Sequence, residues 1–273
     1  MVHLNAILTS MDSQNSSKLN QLLKNWPRGT VAVQAWLDRQ EIYRQLTGVY
    51  TKSAWLSRIG RGAYIRDGET VDWTGGLYAI QTQMQLAIHA GAKTALQMHG
   101  TAHYLSLGGH DPLYLYGVPG ARLPAWFKAH DWERKIHYTA TELFREHPLG
   151  LVAKDLGGYA ITLSSIERAI MEMLQLVSSD ESFQEADQLM AGMTTLRPVL
   201  VQKLLESCNL LKVKRLFMYL AEKNSHRWIE QLDLAKVTFG SGKRMIVRGG
   251  RLDRHYQITV PHDDMAGGTV PEL

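Results

Sequence analysis

Residues 30–66 read TVAVQAWLDRQEIYRQLTGVYTKSAWLSRIGRGAYIR, and the first two thirds of this stretch predict a pair of helices. Thr30 is a residue type that caps helix N-termini, and it precedes a helical pattern over 31–39. Gln40-Glu41 then forms a polar corner, and a second helix is predicted over 43–53. The two helices and their tight corner are typical of a helix-turn-helix.

The last third of the same stretch predicts a β-hairpin. Apolar and polar residues alternate over 56–59 and again over 63–65, and Gly60-Arg61-Gly62 lies between the two segments. Glycines at such a position are typical of a tight hairpin turn. With a further helix predicted over 18–24, the order of elements indicates a winged helix-turn-helix, whose second paired helix enters the DNA major groove.

The second helix has an apolar and a polar face. Ile42, Leu46 and Val49 are four and three residues apart, so we expect them to form the buried face. The opposite face carries hydrogen-bond donors for bases or phosphates, with Gly48 allowing close approach, and the arginines of the wing lie near phosphates or a minor groove. The predicted DNA-binding residues are Arg44, Thr47, Thr51, Lys52, Arg58, Arg61 and Arg66.

The basic residues are concentrated in two blocks. Residues 1–66 contain nine Lys and Arg against three Asp and Glu, and residues 203–254 contain twelve against five, whereas the whole chain has a net charge of +4. The block between them is acidic. Clustered cations neutralise phosphates, so we expect salt-dependent binding. The second block predicts a C-terminal basic patch of Lys212, Lys214, Arg215, Lys243, Arg244, Arg248 and Arg251, although solvation of the surface is an equally good explanation there.

Composition excludes several classes of protein. The chain has 273 residues, 45% of them hydrophobic, which is enough for a stable core without disulfide bonds or structural metal ions. The single cysteine, Cys208, rules out an internal disulfide and a multi-cysteine zinc site, and its apolar surroundings predict a buried side chain. No apolar run approaches the length of a membrane span, and the first residues lack the basic and apolar pattern of a signal peptide, so we expect a cytoplasmic protein with no membrane partner.

The rest of the chain predicts an α+β fold, in which a mixed α/β domain follows the winged helix-turn-helix. Short aromatic and β-branched segments between 94 and 162 predict an antiparallel sheet, and helical periodicity returns after Ser164. A last hairpin is expected around Arg248-Gly249-Gly250-Arg251. The predicted domains are 1–70 for DNA binding and 71–261 for the C-terminal domain, followed by a flexible tail over 262–273.

Several local patterns suggest chemistry without completing a site. Asp111 and Glu133-Arg134-Lys135 imitate the carboxylates and lysine of metal-dependent nucleases, but the loop around Asp111 is not strand-like. His99 and His103 have the spacing of a metal pair only if they lie on a helix. Gly240-Ser241-Gly242-Lys243 lacks the full spacing of a phosphate-binding loop. We therefore expect no catalytic residue, metal or cofactor.

Several segments, taken in order, resemble the AbiEi family of antitoxins over residues 16–261. They are 53–64 with Trp73 and Gly75, 95–105, Glu167-Arg168-Ala169, Leu196-Arg197-Pro198, 213–217 and 240–244. Ala54 departs from the glycine that the family often has, a change expected to cost little at a helix end. The resemblance implies an antitoxin that represses its own operon by binding operator DNA. It also implies that the C-terminal domain counteracts a nucleotidyltransferase-like toxin, by direct contact or through the toxin's target.

Two other functions are consistent with the residues. A winged-helix regulator could use the remainder of the chain to sense a ligand, and a nuclease could use the carboxylates described above. We expect a monomer in solution whose partner is double-stranded operator DNA.

Overall fold

A computed structural model describes residues 17–101 and 111–262 of the chain. The chain divides into two compact units, each made of three segments. Unit 1 comprises residues up to 89 with 120–138 and 153–162, and unit 2 comprises 90–119, 139–152 and 163 onward. The predicted boundary near residue 70 therefore falls inside unit 1. The α+β class expected from the sequence is confirmed by the mixture of helices and small sheets.

The described chain begins with a winged helix-turn-helix. Its strands pair in the order β1-β3-β2, and its core contains Leu22, Trp26, Leu37, Ile42 and Leu56, all buried. The elements, in chain order, are α1 (17–25), β1 (Ala32–Val33), α2 (Gln34–Arg39), α3 (Arg44–Lys52), β2 (Leu56–Gly60) and β3 (Ala63–Arg66).

The start of the first paired helix differs from the prediction. Residues 32–33 form β1, which pairs with β3, and α2 begins only at Gln34. The Thr30 hydroxyl does not cap the helix, because it donates to the Pro27 carbonyl at 2.6 Å. β-branched residues at 31 and 33 favour the extended backbone that the wing sheet needs.

A second helical segment of unit 1 follows the wing. Helix α4 covers Trp73–Tyr78 and widens into a π-helix over Ala79–Gln83. Asp72 caps α4, since its carboxylate accepts from the backbone nitrogens of Thr74 at 2.8 Å and Gly75 at 3.2 Å. The π-helix ends at Gln83, and the next element is the strand Ile88–Ala90.

A mixed five-stranded sheet replaces the antiparallel sheet predicted from the sequence. Its order is β6-β5-β4-β8-β7, and β4 pairs with β8 in parallel. The predicted strand at 95–98 is wrong: Ala92–Met98 is helix α5, as the intrinsic preferences of Ala, Leu, Gln and Met favour. The strand predicted at 103–105 lies outside the described residues. The strands are β4 (Ile88–Ala90), β5 (Leu113–Gly117), β6 (Ile136–Ala140), β7 (Leu151–Asp155) and β8 (Ala160–Ser164).

Unit 2 contains the four helices predicted after Ser164, with small shifts of their ends. Ser165 caps α7, and Ser179 forms a capping box with Ser182 at the start of α8. Pro198 occupies the first turn of α9, where its missing N–H costs nothing. The helices are α7 (Ile166–Leu176), α8 (Asp180–Ala191), α9 (Pro198–Ser207) and α10 (Leu211–Lys223). A short helix outside this group, α6 (Ala125–Ala129), belongs to unit 1.

The C-terminal hairpin has its turn at a different place from the predicted one. Strands β10 (Arg251–Asp253) and β11 (Ile258–Val260) form the antiparallel pair, and β9 (Arg244–Met245) lies parallel to β11. The tight turn falls at 254–257, because the Asp253 carboxylate accepts from the Tyr256 backbone nitrogen at 2.7 Å. The tail from 263 onward lies outside the described residues.

Candidate nucleic-acid interface

The buried side of α3 differs from the side that the spacing predicted. Ile42, Thr47 and Tyr50 are buried and Leu46 is half-buried, whereas Val49 is 51% exposed. Ile42 lies in the corner before the helix, because α3 begins at Arg44. A helical spacing counted from Ile42 is therefore misplaced.

The predicted DNA contact Thr47 has a structural role. Its side chain is buried, and its hydroxyl lies 3.3 Å from the Ile42 carbonyl and 3.2 Å from the Tyr43 carbonyl. The Gln34 amide donates to the same hydroxyl at 3.3 Å and to the Asp38 carboxylate at 2.8 Å. These bonds join α2, the corner and α3, so Thr47 fixes the angle at which α3 is presented.

The exposed face of α3 carries donors around a central glycine. Arg44, Gln45, Gly48 and Lys52 are exposed, and a side chain added at Gly48 would meet nothing within 4 Å. Thr51 is half-buried, and its hydroxyl donates to the Thr47 carbonyl at 2.9 Å. Sequence reasoning missed Gln45 and Val49, which a pattern centred on Thr47 and Tyr50 would have placed outside. Three exposed apolar side chains lie on or next to α3: Val49 within the helix, Tyr43 just before it and Trp55 just after it.

The wing extends this surface with two arginines. Arg61 is exposed at the turn, where Gly62 has a φ of 72° that favours glycine. Arg58 is also exposed, and its Nε donates to the Gly60 carbonyl at 3.0 Å, which holds the side chain along the wing. The predicted contact Arg66 is only partly exposed and has a structural role. Its guanidinium donates to the carbonyls of Leu23 and Trp26, and burial lowers its pKa.

Helix α3 ends in a full Schellman motif. The Trp55 nitrogen donates to the Tyr50 carbonyl at 2.9 Å and the Ala54 nitrogen to the Thr51 carbonyl at 3.3 Å. Ala54 has a φ of 53°, in the left-handed region. The expectation that alanine costs little here is therefore wrong, since this backbone conformation favours glycine.

We expect Ala54→Gly to stabilise the protein by about 0.5 to 1 kcal/mol, because relief of left-handed strain outweighs the greater freedom of the unfolded chain. Thermal unfolding followed by circular dichroism measures this. Ala35→Gly is the matched control: Ala35 is exposed within α2, and the change should destabilise by about 1 kcal/mol. Destabilisation by Ala54→Gly equal to that of the control would contradict the assignment.

Hydrogen bonds connect the winged helix to the π-helix within unit 1. The Gln83 amide accepts from the Val33 nitrogen at 2.9 Å and donates to the Val31 carbonyl at 2.8 Å, and Arg39 donates to the Gln83 carbonyl at 2.6 Å. A side chain on Gly75 would lie 1.9 Å from the Gly29 carbonyl oxygen, so the two backbones are in direct contact. Separating the predicted domains 1–70 and 71–261 would therefore break these contacts within unit 1.

The predicted C-terminal patch contains three structural cations. Lys212 donates to the Val177 carbonyl, Lys214 to the Thr238 carbonyl at 3.2 Å, and Arg215 to the Phe239 carbonyl at 2.9 Å. Lys214 and Arg215 are each 3% exposed, and burial lowers the pKa of all three. Four residues of the patch remain wholly or partly exposed: Lys243, Arg244, Arg248 and Arg251.

The patterns that suggested a nuclease or a metal site are not assembled. The Asp111 carboxylate accepts from the Gln97 amide at 2.6 Å, and Glu133 lies with a φ of 57° in a bend before β6 and not on a strand. His99 is held by the Ser164 carbonyl at 2.9 Å, and His103 lies outside the described residues. Within 17–101 and 111–262 no group of three His, Cys, Asp or Glu could hold a metal ion.

Two further sequence patterns have structural explanations. Gly240 packs against Leu211, whose Cδ1 would lie 2.4 Å from an added side chain, so the loop 240–243 covers α10. Cys208 is buried at the end of α9, and burial raises the pKa of its thiol to about 11, which disfavours a reactive thiolate.

Comparisons with models of protein families show which family this chain belongs to. Residues 15–107 match the N-terminal domain of the AbiEi antitoxin, a transcriptional regulator. Residues 110–261 match the transcriptional regulator AbiEi antitoxin of type IV toxin–antitoxin systems. The chain belongs to the AbiEi antitoxin family. A comparison with curated proteins found no match.

The AbiEi fold is also present in a solved structure. The crystal structure of the RV2827C protein from Mycobacterium tuberculosis resembles this chain with a TM-score of 0.56 and 13% identity, covering 90% of this chain and 91% of that one. At this identity the similarity shows the fold alone. None of the helices in the described part of the chain has the length and apolar character needed to cross a membrane.

The segments that carried the AbiEi resemblance are joined to each other in unit 2. Arg197 donates to Glu167 with its Nε at 2.9 Å and its Nη2 at 2.8 Å. Burial would raise the pKa of Glu167, but hydrogen bonds from the Arg197 side chain and backbone lower it to about 2. Arg215 similarly connects 213–217 to 240–244 through the Gly242 carbonyl at 2.5 Å. These two sets of hydrogen bonds show that parts of the segments behind the resemblance connect distant stretches of the chain within unit 2.

Proposed function

We propose that this chain is the antitoxin and DNA-binding autorepressor of a bacterial toxin–antitoxin operon, and that it neutralises a nucleotidyltransferase-like toxin. Membership of the AbiEi family supports both roles. The observation that carries the DNA-binding role is the exposed face of α3, where Arg44, Gln45 and Lys52 surround Gly48. The wing arginines Arg58 and Arg61 supply a second line of charge next to it.

The chemistry of this face suits the major groove. Arg44 can donate to guanine or phosphate, and the Gln45 amide can bond to adenine. Tyr43 and Val49 are exposed apolar side chains that can contact thymine methyl groups, which explains why a helix pointing into water has them. Gly48 leaves room for the base edges, while the wing cations bind phosphates without regard to sequence.

We expect Arg44→Ala to weaken binding to the operator by about 1 to 3 kcal/mol, with little effect on unrelated duplexes. Arg61→Ala should weaken binding to all duplexes alike and reduce the dependence of affinity on salt, because a phosphate contact is lost. Shift assays at matched salt measure both. Arg227→Ala is the control, since Arg227 is exposed in unit 2. If the Arg44→Ala and Arg61→Ala variants both bind duplexes like the parent, the assignment of this face to DNA binding is wrong.

For neutralisation of the toxin, the exposed cations near β9 are the candidate surface. Lys243 and Arg248 are exposed and make no ion pair or hydrogen bond with their side chains within the described residues. They lie beside Arg244 and Arg251, which are partly exposed. A toxin or an RNA with an acidic surface would be attracted to this cluster.

Co-expression with the toxin encoded beside the gene tests the two roles in the full-length chain, because the segmented units cannot be separated by one cut. Arg44→Ala with Arg61→Ala should lose promoter repression and still protect cells. Lys243→Glu with Arg248→Glu should impair protection and keep repression. Lys203→Glu with Arg227→Glu is the control of equal charge on exposed positions of unit 2. If the variant with Arg44→Ala and Arg61→Ala folds normally but no longer protects cells, the separation of DNA binding from toxin neutralisation is wrong.

A further inference from the structure

A cavity of unit 1 has a lining that the proposed function does not use. Its volume is about 500 Å³, within the range of pockets that hold small ligands. All the residues that line it come from the segment 120–138. The wall combines the cations of Arg122, Lys128 and Arg134 with the rings of Trp132 and Tyr138.

The charge of this cavity is opposite to that of the surrounding sequence. Residues 67–202 contain nine Lys and Arg against fifteen Asp and Glu, yet three of those nine cations line one cavity. Asp131 is the acid in the wall, and its Oδ1 already accepts from the Glu133 backbone nitrogen at 2.8 Å. Cations that line one cavity attract an anion, and one of the three, Arg134, also lies over the Trp73 ring.

Two of these cations are also without partners. Within 17–101 and 111–262, the side chains of Arg122 and Lys128 form no ion pair or hydrogen bond. Among the other basic residues of the block, Lys93 is paired with Glu185 and Arg197 with Glu167, whereas the Lys135 and Lys154 side chains have no partner in the described residues. The Arg122 guanidinium and the Lys128 ammonium are therefore available to a ligand.

Apart from the cations, Asp131 and His130, the wall is apolar and well fixed. Leu123 and Ile136 line it together with the two rings. The Tyr138 hydroxyl donates to the Ala121 carbonyl at 2.6 Å, and the Trp132 indole donates to the Phe127 carbonyl at 2.7 Å, so both rings are held in place. A phosphate ion alone would leave this apolar surface uncovered, and an apolar ligand would leave the cations uncompensated.

We propose that this cavity binds a nucleoside phosphate, with the ring system against the apolar wall and the phosphates between Arg122, Lys128 and Arg134. Arginine and lysine bind phosphate oxygens strongly, and rings of the wall provide apolar surface for a base. The ligand is thus a nucleotide-sized anion and not an isolated phosphate.

The ligand would act as an effector of DNA binding through α6. Lys128 of this helix lines the cavity, while Trp126 of the same helix packs against the wing. A side chain added at Gly60 of β2 would lie 2.7 Å from the Trp126 Cβ, so the helix and the wing strand are in direct contact. A ligand that draws Lys128 inward therefore shifts the support of the wing.

Calorimetric titration of the full chain with ATP, adenosine and inorganic phosphate tests the site without DNA, so its failure is distinct from failure of the proposed function. ATP should bind saturably, with adenosine and phosphate each at least about tenfold weaker. Arg122→Ala with Lys128→Ala should weaken ATP binding at least about tenfold. Lys24→Ala with Lys135→Ala removes the same charge from exposed positions outside the cavity and should leave ATP binding unchanged.

Absence of saturable ATP binding would overturn the site, and so would an equal loss in the control variant. Phosphate binding as tight as ATP binding would overturn the role of the apolar wall. For the effector role, saturating ATP should change operator affinity of the parent in a shift assay but not that of the cavity variant. Unchanged affinity of the parent would overturn that role.

Discussion

Glu172→Ala is expected to destabilise the protein by about 3 to 5 kcal/mol, which is the cost of removing one partner of a buried ion pair. The Glu172 carboxylate is 1% exposed and accepts from the Arg168 Nε at 2.7 Å, the Ser164 hydroxyl at 2.7 Å and the Ala92 nitrogen at 3.1 Å. The variant would leave a buried guanidinium without its carboxylate and two donors unsatisfied. Urea unfolding measures the loss.

The surroundings of this pair allow no easy relief. Arg168 also donates to the carbonyls of His147 at 2.6 Å and Leu149 at 2.7 Å, and it lies over the Phe144 ring. Glu185→Ala is the control, because its ion pair with Lys93 is partly exposed and should be worth less than about 1 kcal/mol. Equal losses in the two variants would contradict the structural role given to Glu172.

Ile42→Ala is expected to destabilise by about 2 to 5 kcal/mol, because Ile42 is fully buried in the core of the winged helix. Val49→Ala should change stability by less than about 0.5 kcal/mol, because Val49 is exposed. The same Val49 variant should nevertheless weaken operator binding if it contacts a base. Thermal unfolding and shift assays on both variants measure the contrast. If the two changes destabilise the protein equally, Val49 belongs to the buried face, as its spacing from Ile42 predicted.

The winged helix-turn-helix could be predicted because its elements are defined by local chemistry. The Gln40-Glu41 corner, the hairpin glycines and the positions of α2 and α3 all follow from residues close together in sequence. The buried face of α3 could not be predicted in the same way. Successive residues of a helix point about 100° apart, so a buried face assigned one residue away points in a different direction. Whether Thr47 points to bases or to Gln34 depends on contacts with another helix.

The basic residues show a second limit of sequence reasoning. Arg66, Lys214 and Arg215 belong to basic blocks, yet each donates to backbone carbonyls of a distant segment. A lysine or arginine that satisfies buried carbonyls has the same sequence pattern as one that binds phosphate. By contrast, the cavity formed by 120–138 lies in an acidic block, so averaged charge conceals its three cations.

Gly48→Glu tests directly whether the exposed face of α3 enters duplex DNA. Gly48 lies in the middle of that face with open space around it, so the fold should tolerate glutamate, while the added bulk and negative charge should prevent contact with DNA. Gly158→Glu is the matched control, since Gly158 also has open space in an exposed turn.

Fluorescence anisotropy titration of a duplex from the chain's own promoter gives the decisive comparison. We expect Gly48→Glu to lose operator binding while its melting temperature is unchanged or higher, and Gly158→Glu to bind like the parent. If a folded Gly48→Glu variant binds the promoter duplex with parental affinity, the exposed face of α3 does not enter DNA.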